Sequence, residues 1–471
     1  MIEAHSLVAG KPVSASQQLE VRNPFTGEIV GTVAMATAED VDIAIDTTQE
    51  QGTPLSRHDR WQILEKARCT LEANRDSFAR LMTMESGLCI RETRYEVGRA
   101  ADVLKWSAIA ALRDDGEMFA GDVSENGKSR RIFTLREPLS CAVAITPFNH
   151  PLNQVAHKVC PAIAAGTPII LKPSEKTPLT ALRFAKLLYE AGLPASMLSV
   201  LLGPTDNVAS RLVKDPRVQL VSFTGSVPVG KVIAGSAGYK RVVLELGGND
   251  PLIIFPDADL DLAVQLAAEG SFRNSGQRCT AVKRIFVHES LSEEFTSRLV
   301  AKAKDYLCGD PMDERNRVGT VIDEPAAIYL ETVINEAVES GAKLLVGGRR
   351  TGALLEPTVL SHVPKTSRLV MCESFGPIAP IMAFHSIEEV IRLANATEYG
   401  LSAGVVTNSL DIALKTIKEL KSGCVNINEV PGYRVESSPF GGIKNSGLGI
   451  KEGVSEAIKL FSSIKTFSLP W

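Results

Sequence analysis

The chain has 471 residues, 44% of them hydrophobic and 23% charged, with a formal net charge of −4. That length exceeds what one ordinary core organises, so two or three domains are expected. The near-neutral balance and a pI of about 6.1 exclude a global basic footprint for nucleic acid or anionic lipid, and no apolar run approaches the roughly 20 residues of a membrane helix.

The opening segment MIEAHSLVAGKPVSASQQLE has no basic stretch leading into an apolar one, so no secretory signal is expected. From about Asp40 to Ala111 apolar residues recur three and four apart, as in RWQILEKARCTLEANRDSFARLMTMESG, which predicts helix. SRRIFTLREPLSCAVAIT then alternates like strand, and strand-like runs (TPIILKP, MLSVLLG, VQLVSFTG) alternate with helical ones. A second such series follows KRVVLELGG, with DPLIIF, AVKRIFVH, AKLLVGG and SAGVVTN as strands. Alternation of this kind predicts parallel α/β sheets. Residues 116–136 and the strand-like tail read as a lone β-arm, which needs a partner sheet, so a homo-oligomer is expected. The eight cysteines (Cys69, Cys89, Cys141, Cys160, Cys279, Cys308, Cys372, Cys424) form no C-x-x-C pair. That argues against a zinc site or a disulfide scaffold and fits a reducing, cytoplasmic compartment.

Within VSFTGSVPVGKVIAG, Gly225, Gly230 and Lys231 imitate a P-loop, G-x-x-x-x-G-K-[ST]. Val232 occupies the position of the metal-binding hydroxyl, which excludes a nucleoside triphosphate hydrolase of that type. Three other stretches could carry chemistry. In NSGQRCTAVKR, Cys279 follows Arg278; most cysteines are structural, but a neighbouring cation favours the thiolate. In VVLELGGNDP, Glu245 lies in apolar surroundings that would raise its pKa towards general-base duty. In ITPFNHPLN, Asn149 has an amide able to donate to an oxyanion, although Asn before His-Pro more often forms a turn.

Together with K-P-S-E, F-T-G-S, E-S-F-G-P and P-F-G-G-I-K-N-S-G, in that order along essentially the whole chain, these stretches resemble the aldehyde dehydrogenase superfamily. The resemblance implies two α/β Rossmann-like domains plus an oligomerisation arm. Residues 1–115 and 137–245 would bind NAD, 246–435 would be catalytic, and 116–136 with 454–471 would form the arm of a homodimer or homotetramer. It implies that Cys279 attacks an aldehyde, Asn149 and the Cys279 N–H hold the oxyanion, and Glu245 activates the water that releases the acid. By the same match Thr224, Gly225 and Ser226 form the loop near the dinucleotide pyrophosphate. Lys172 and Glu175 hold the adenosine ribose, with Glu175 favouring NAD over NADP, and Glu373 and Phe375 position the nicotinamide end. No metal is expected.

Arg278, His150 and Arg99, with Arg434 as a further candidate, would bring positive charge to the substrate cleft. The alternative is that Arg278 serves only the thiol while Arg99 pairs with Glu96 or Asp102. RYEVGRA, TGSVPVGK, VPGYR and the ending KTFSLPW resemble the branch of the superfamily that oxidises phosphonoacetaldehyde to phosphonoacetate. Sulfoacetaldehyde, succinate semialdehyde, lactaldehyde and glyceraldehyde 3-phosphate stand as alternative substrates.

Overall fold

A computed structural model describes residues 1–14, 17–50, 54–113 and 115–471. The predicted helical stretch forms four helices, Ala38–Gln49, Arg57–Ala73, Arg75–Ser86 and Ile90–Ala111. Local chemistry sets their ends. Thr37 with Asp40, and Ser56 with Asp59, make reciprocal capping boxes at the first two N-termini. Gly87 closes the third helix at a left-handed φ of 72°.

Two seven-stranded sheets organise the rest. The first has the order Arg241–Glu245, Leu220–Thr224, Ala142–Ile145, Ile169–Lys172, Leu198–Val200, then Leu7–Val8 and Lys11–Pro12. Its five longer strands are parallel, and the two N-terminal ones close the edge antiparallel. Ala142–Ile145, Ile169–Lys172 and Leu220–Thr224 are buried at every position, as strands covered by helices on both faces must be. The second sheet runs Lys343–Val346, Thr358–Ser361, Ile378–Phe384, Val282–His288, Asp250–Ile254, Ser402–Val406 and Cys424–Ile427. Only Lys343–Val346 is antiparallel there.

A separate three-stranded antiparallel sheet is made from Met118–Ala120, Arg130–Pro138 and Ser462–Pro470. Phe133 and Phe467 face each other across it, their rings stacked at 5.4 Å. The strand runs two residues past the expected limit at 136. Within 454–471, the helix Val454–Leu460 packs against the helices Ile90–Ala111 and Asn153–Ala165 rather than on this sheet. Among the described residues no helix is long and apolar enough to cross a membrane.

The candidate active site

In a parallel sheet, ligands gather beyond the carboxyl ends of the strands. Glu245 is the last residue of its strand and lies in register with Thr224, the last of its neighbour. Lys172 ends the Ile169–Lys172 strand, and Asn149 lies on the turn after Ala142–Ile145. From the other side, the second sheet presents the beginnings of its strands: Cys279 just before Val282–His288 and Glu373 just before Ile378–Phe384. The cleft between the sheets thus brings Cys279, Glu245 and Asn149 to one place.

The loop bearing Cys279 is held in an uncommon conformation. Asn274, Ser275 and Gly276 have φ of 57°, 52° and 68°, and such strain costs on the order of 1–3 kcal/mol for each non-glycine residue. A Cβ on Gly276 would stand 2.0 Å from the Gly376 carbonyl oxygen, so this loop and the Glu373–Phe375 loop interlock backbone to backbone. Amide side chains fasten the loop to Asn149. Asn149 Nδ2 donates to the Gln277 carbonyl at 2.8 Å, and Asn274 Nδ2 donates to the Asn149 carbonyl at 2.9 Å.

Cys279 is half-buried. Burial pushes its thiol up to about 11, and Lys283 is the strongest influence in the other direction, ahead of Arg434. The cation expected beside the thiol, Arg278, is turned away, its Nη2 donating to the carbonyls of Glu269 and Gly270 at 3.0 and 2.7 Å. Glu245 has both carboxylate oxygens buried without a hydrogen-bond partner. Burial first, and then the nearby Glu452, raise its pKa well above the carboxylate range, against the pull of Lys158, Arg434 and Lys451. A carboxyl in that state is suited to accepting a proton from water.

The cofactor-side residues fall into two groups. Lys172 Nζ lies 3.1 Å from Glu175 Oε1, with Glu175 half-exposed. Thr224 Oγ1 is buried without a partner, and Ser226 is exposed at the start of the helix Val227–Ser236. A Cβ on Gly230 would lie 2.5 Å from Leu246 Cδ2, so this glycine lets the helix pack on the strand end, and Lys231 is exposed. The P-loop likeness has a packing origin. Near the thiol, Glu373 Oε1 accepts from the Gly248 N–H at 3.1 Å. A Cβ on Gly247 would lie 2.1 Å from Glu373 Oε2. Phe375 adopts φ 60° and packs edge-on against Phe148 at 6.0 Å.

Of the cationic candidates, two are already paired. Arg99 Nε donates to Glu436 Oε1 at 2.5 Å, not to Glu96 or Asp102. His150 Nδ1 lies 3.2 Å from Glu96 Oε2, while Glu96 Oε1 accepts the N–H groups of Leu152 and Asn153 and so caps the next helix. Arg278 and Arg434 are different. Arg278 Nε is buried without a partner, and desolvation, then Arg273, bring its guanidinium down to about 10. Arg434 lies over the Phe440 ring at 4.0 Å, its pKa also lowered by desolvation.

Sequence reasoning missed the groups behind these. Glu436 also meets His157 Nε2 at 2.5 Å. Burial opposes its ionisation, but His157, Arg99 and Arg434 hold it well below the carboxylate range. Lys158, fully buried, donates to Glu452 and Ser222 at 2.7 Å beside Glu245. Among the described residues no group of three or more His, Cys, Asp or Glu side chains is placed to hold a metal.

Comparison with known proteins matches residues 12–467 to the model of the aldehyde dehydrogenase family. The chain belongs to that family. It is 39% identical over 453 residues to 3-sulfolactaldehyde dehydrogenase of Priestia aryabhattai, covering 96% of this chain and 95% of that one. The crystal structure of aldehyde dehydrogenase 21 from Physcomitrella patens, in complex with the reaction product succinate, superposes with a TM-score of 0.95 at 36% identity over 100% and 99% of the two chains. Glyceraldehyde-3-phosphate dehydrogenase of Methanocaldococcus jannaschii, complexed with NADP, gives a TM-score of 0.91 at 36% identity over 97% and 100%. This aldehyde dehydrogenase is therefore an oxidoreductase of small aldehydes with an NAD(P) cofactor. The residues present fit that cofactor: an ion-paired lysine and a half-exposed glutamate at one strand end, an orphaned threonine hydroxyl at another, and glycines beside Glu373.

Proposed function

We infer that the chain oxidises a small anionic aldehyde to its acid, with NAD as cofactor and phosphonoacetaldehyde as the substrate that suits the cleft best. The observation that carries this reading is buried positive charge around the thiol: Arg434 acts on Cys279, and Arg278, although its Nη2 is held by backbone carbonyls, keeps a buried Nε with no partner. A buried N–H of a guanidinium left without an acceptor is costly unless a ligand completes it. Some relatives support an anion, since sulfolactaldehyde and glyceraldehyde 3-phosphate carry one, as does the product succinate, whereas others are named for the uncharged lactaldehyde. A three-oxygen, nearly doubly charged phosphonate offers these guanidiniums more acceptors than a single carboxylate does.

In this reading Cys279 Sγ attacks the aldehyde carbon. The Asn149 amide and the Cys279 N–H receive the oxyanion, for which Asn149 Nδ2 has a second proton beyond the one given to Gln277. The bound cofactor supplies the hydride acceptor. Glu245 then takes a proton from the water that cleaves the Cys279 thioester, a step its raised pKa suits. Glu175 would accept from a ribose hydroxyl and oppose a 2′-phosphate, which favours NAD over NADP. Arg99 and His150, paired to Glu436 and Glu96, would orient the anion through remaining N–H groups, with Arg278 and Arg434 carrying its charge. The arm sheet would join copies into a homodimer or homotetramer.

The test is NADH formation across a panel of phosphonoacetaldehyde, sulfoacetaldehyde, succinate semialdehyde, lactaldehyde, glyceraldehyde 3-phosphate and acetaldehyde. A lead of about tenfold or more in kcat/KM for phosphonoacetaldehyde, about 1.4 kcal/mol, is the expected result. A lead for the sulfonate or a carboxylate would keep the anion site and change its ligand. A flat profile would remove the anion site altogether.

A further inference from the structure

The nucleophile and the cofactor-side carboxylate share one buried cation. Lys283 is the second residue of the Val282–His288 strand, and its side chain is 1% exposed. Its Nζ donates to the carbonyls of Arg278 and Cys279 at 2.8 and 2.6 Å and lies 3.1 Å from Glu373 Oε1. An ammonium has three protons, and here each has an acceptor. The Phe375 ring lies 5.9 Å away on the same loop as Glu373. One side chain thus ties the back of the nucleophile loop to the loop expected to meet the nicotinamide ribose.

We propose that Lys283 is a positioning residue that relays cofactor occupancy to Cys279: its charge sustains the thiolate, Glu373 moderates that charge, and hydrogen-bond donors arriving at Glu373 release more of it to the sulfur. The proposal rests on the reading of Cys279 as nucleophile and Glu373 as a ribose ligand. The charged groups acting on the thiol are Lys283 and Arg434, which favour the thiolate, and Asp250 and Glu373, which oppose it. Asp250 is occupied by the Ser402 hydroxyl and N–H. Glu373 is the adjustable member. It is tied to Lys283 and one backbone N–H, and burial raises its pKa. A ribose diol donating to it would disperse its negative charge without adding a charge of its own. In so dry a cluster that shifts the balance at the sulfur towards the cation.

The experiment follows alkylation of Cys279 by iodoacetamide, quantified on its own peptide by mass spectrometry, from about pH 7 to 12, a span that includes the thiol's value of about 11. It is run with and without ADP-ribose, which carries the terminal ribose and lacks the charged nicotinamide. In the unaltered protein ADP-ribose should lower the midpoint of the rate profile. Lys283→Met should raise the midpoint by about one unit or more and abolish the ADP-ribose effect. Lys283→Arg should keep much of both. Glu373→Gln should lower the midpoint without ligand and also abolish the effect. Equal midpoints in Lys283→Met and the unaltered protein would overturn the proposal, as would an ADP-ribose shift that survives Glu373→Gln. Should Lys283→Met fail to fold, Glu373→Gln and Lys283→Arg carry the same two comparisons. Aldehyde oxidation by Cys279→Ser would instead overturn the underlying reading of the nucleophile, an outcome separate from the first two.

Discussion

At the scale of single residues, the chemistry turns on groups whose ordinary charge states are disturbed. Glu245 works as a base only when deprotonated, and its pKa stands well above the carboxylate range because it is buried beside Glu452. Steady-state turnover should therefore rise with pH at values well above the ordinary carboxylate range, as this carboxyl loses its proton. In Glu245→Gln the expected outcome is a burst of about one NADH per site followed by a stall, read by absorbance in the first turnover. Full turnover in that variant would remove Glu245 from the base role. Asn149→Ala should cost about 10²–10³ in kcat, as loss of one oxyanion donor does. Arg278→Ala should raise KM for phosphonoacetaldehyde by about tenfold or more, the worth of one charge-assisted hydrogen bond, and leave acetaldehyde nearly unaffected. Equal losses on both aldehydes would assign Arg278 to the fold. The three catalytic candidates were legible because each sits in its own short motif. For Arg99 the alternative to a substrate role was a partner on its own helix, Glu96 or Asp102, whereas the partner the structure gives it, Glu436, is 337 residues away. Nothing in local spacing points across such a distance.

At the scale of elements, the glycines of the Val227–Ser236 helix separate packing from propensity. Gly230 faces Leu246 with no room for a Cβ, whereas a Cβ on Gly235 would meet nothing within 4 Å. Gly230→Val should destabilise the protein by roughly 1–3 kcal/mol through overpacking. Gly235→Ala should stabilise it by about 0.5–1 kcal/mol through helix propensity. Thermal melting of the two variants tests the contrast, and a neutral Gly230→Val would undo the packing account of the P-loop likeness. The sequence could show two glycines with four residues between them, but the reason for the second depends on Leu246, which arrives from the end of a different strand. The helices before Ala111 were legible as one periodic tract. Their division into four rests on caps such as Thr37 with Asp40 and Ser56 with Asp59, which a periodicity count passes over.

At the scale of the whole molecule, the parallel sheets were legible from strand–helix alternation, and family membership from the order of the motifs. How the two sheets face each other was not, because the cleft is set by which strand ends meet, and that is a property of topology. The arm makes a separate prediction. Met118, Phe119, Ile464, Leu469 and Trp471 are exposed on two of its three strands or just beyond them, an apolar surface that a second copy would cover. Deleting residues 464–471 should lower the molar mass measured by light scattering, and an unchanged mass would place the subunit contact elsewhere. The backbone interlock of Gly276 with Gly376 also bears on engineering. A chimera that takes the cysteine loop from one relative and the Glu373–Phe375 loop from another would join halves never fitted to each other, so the two have to be transplanted together. Redesign for a new aldehyde has more freedom at the Arg99 and Arg434 side chains, which meet the side chains of Glu436 and Phe440.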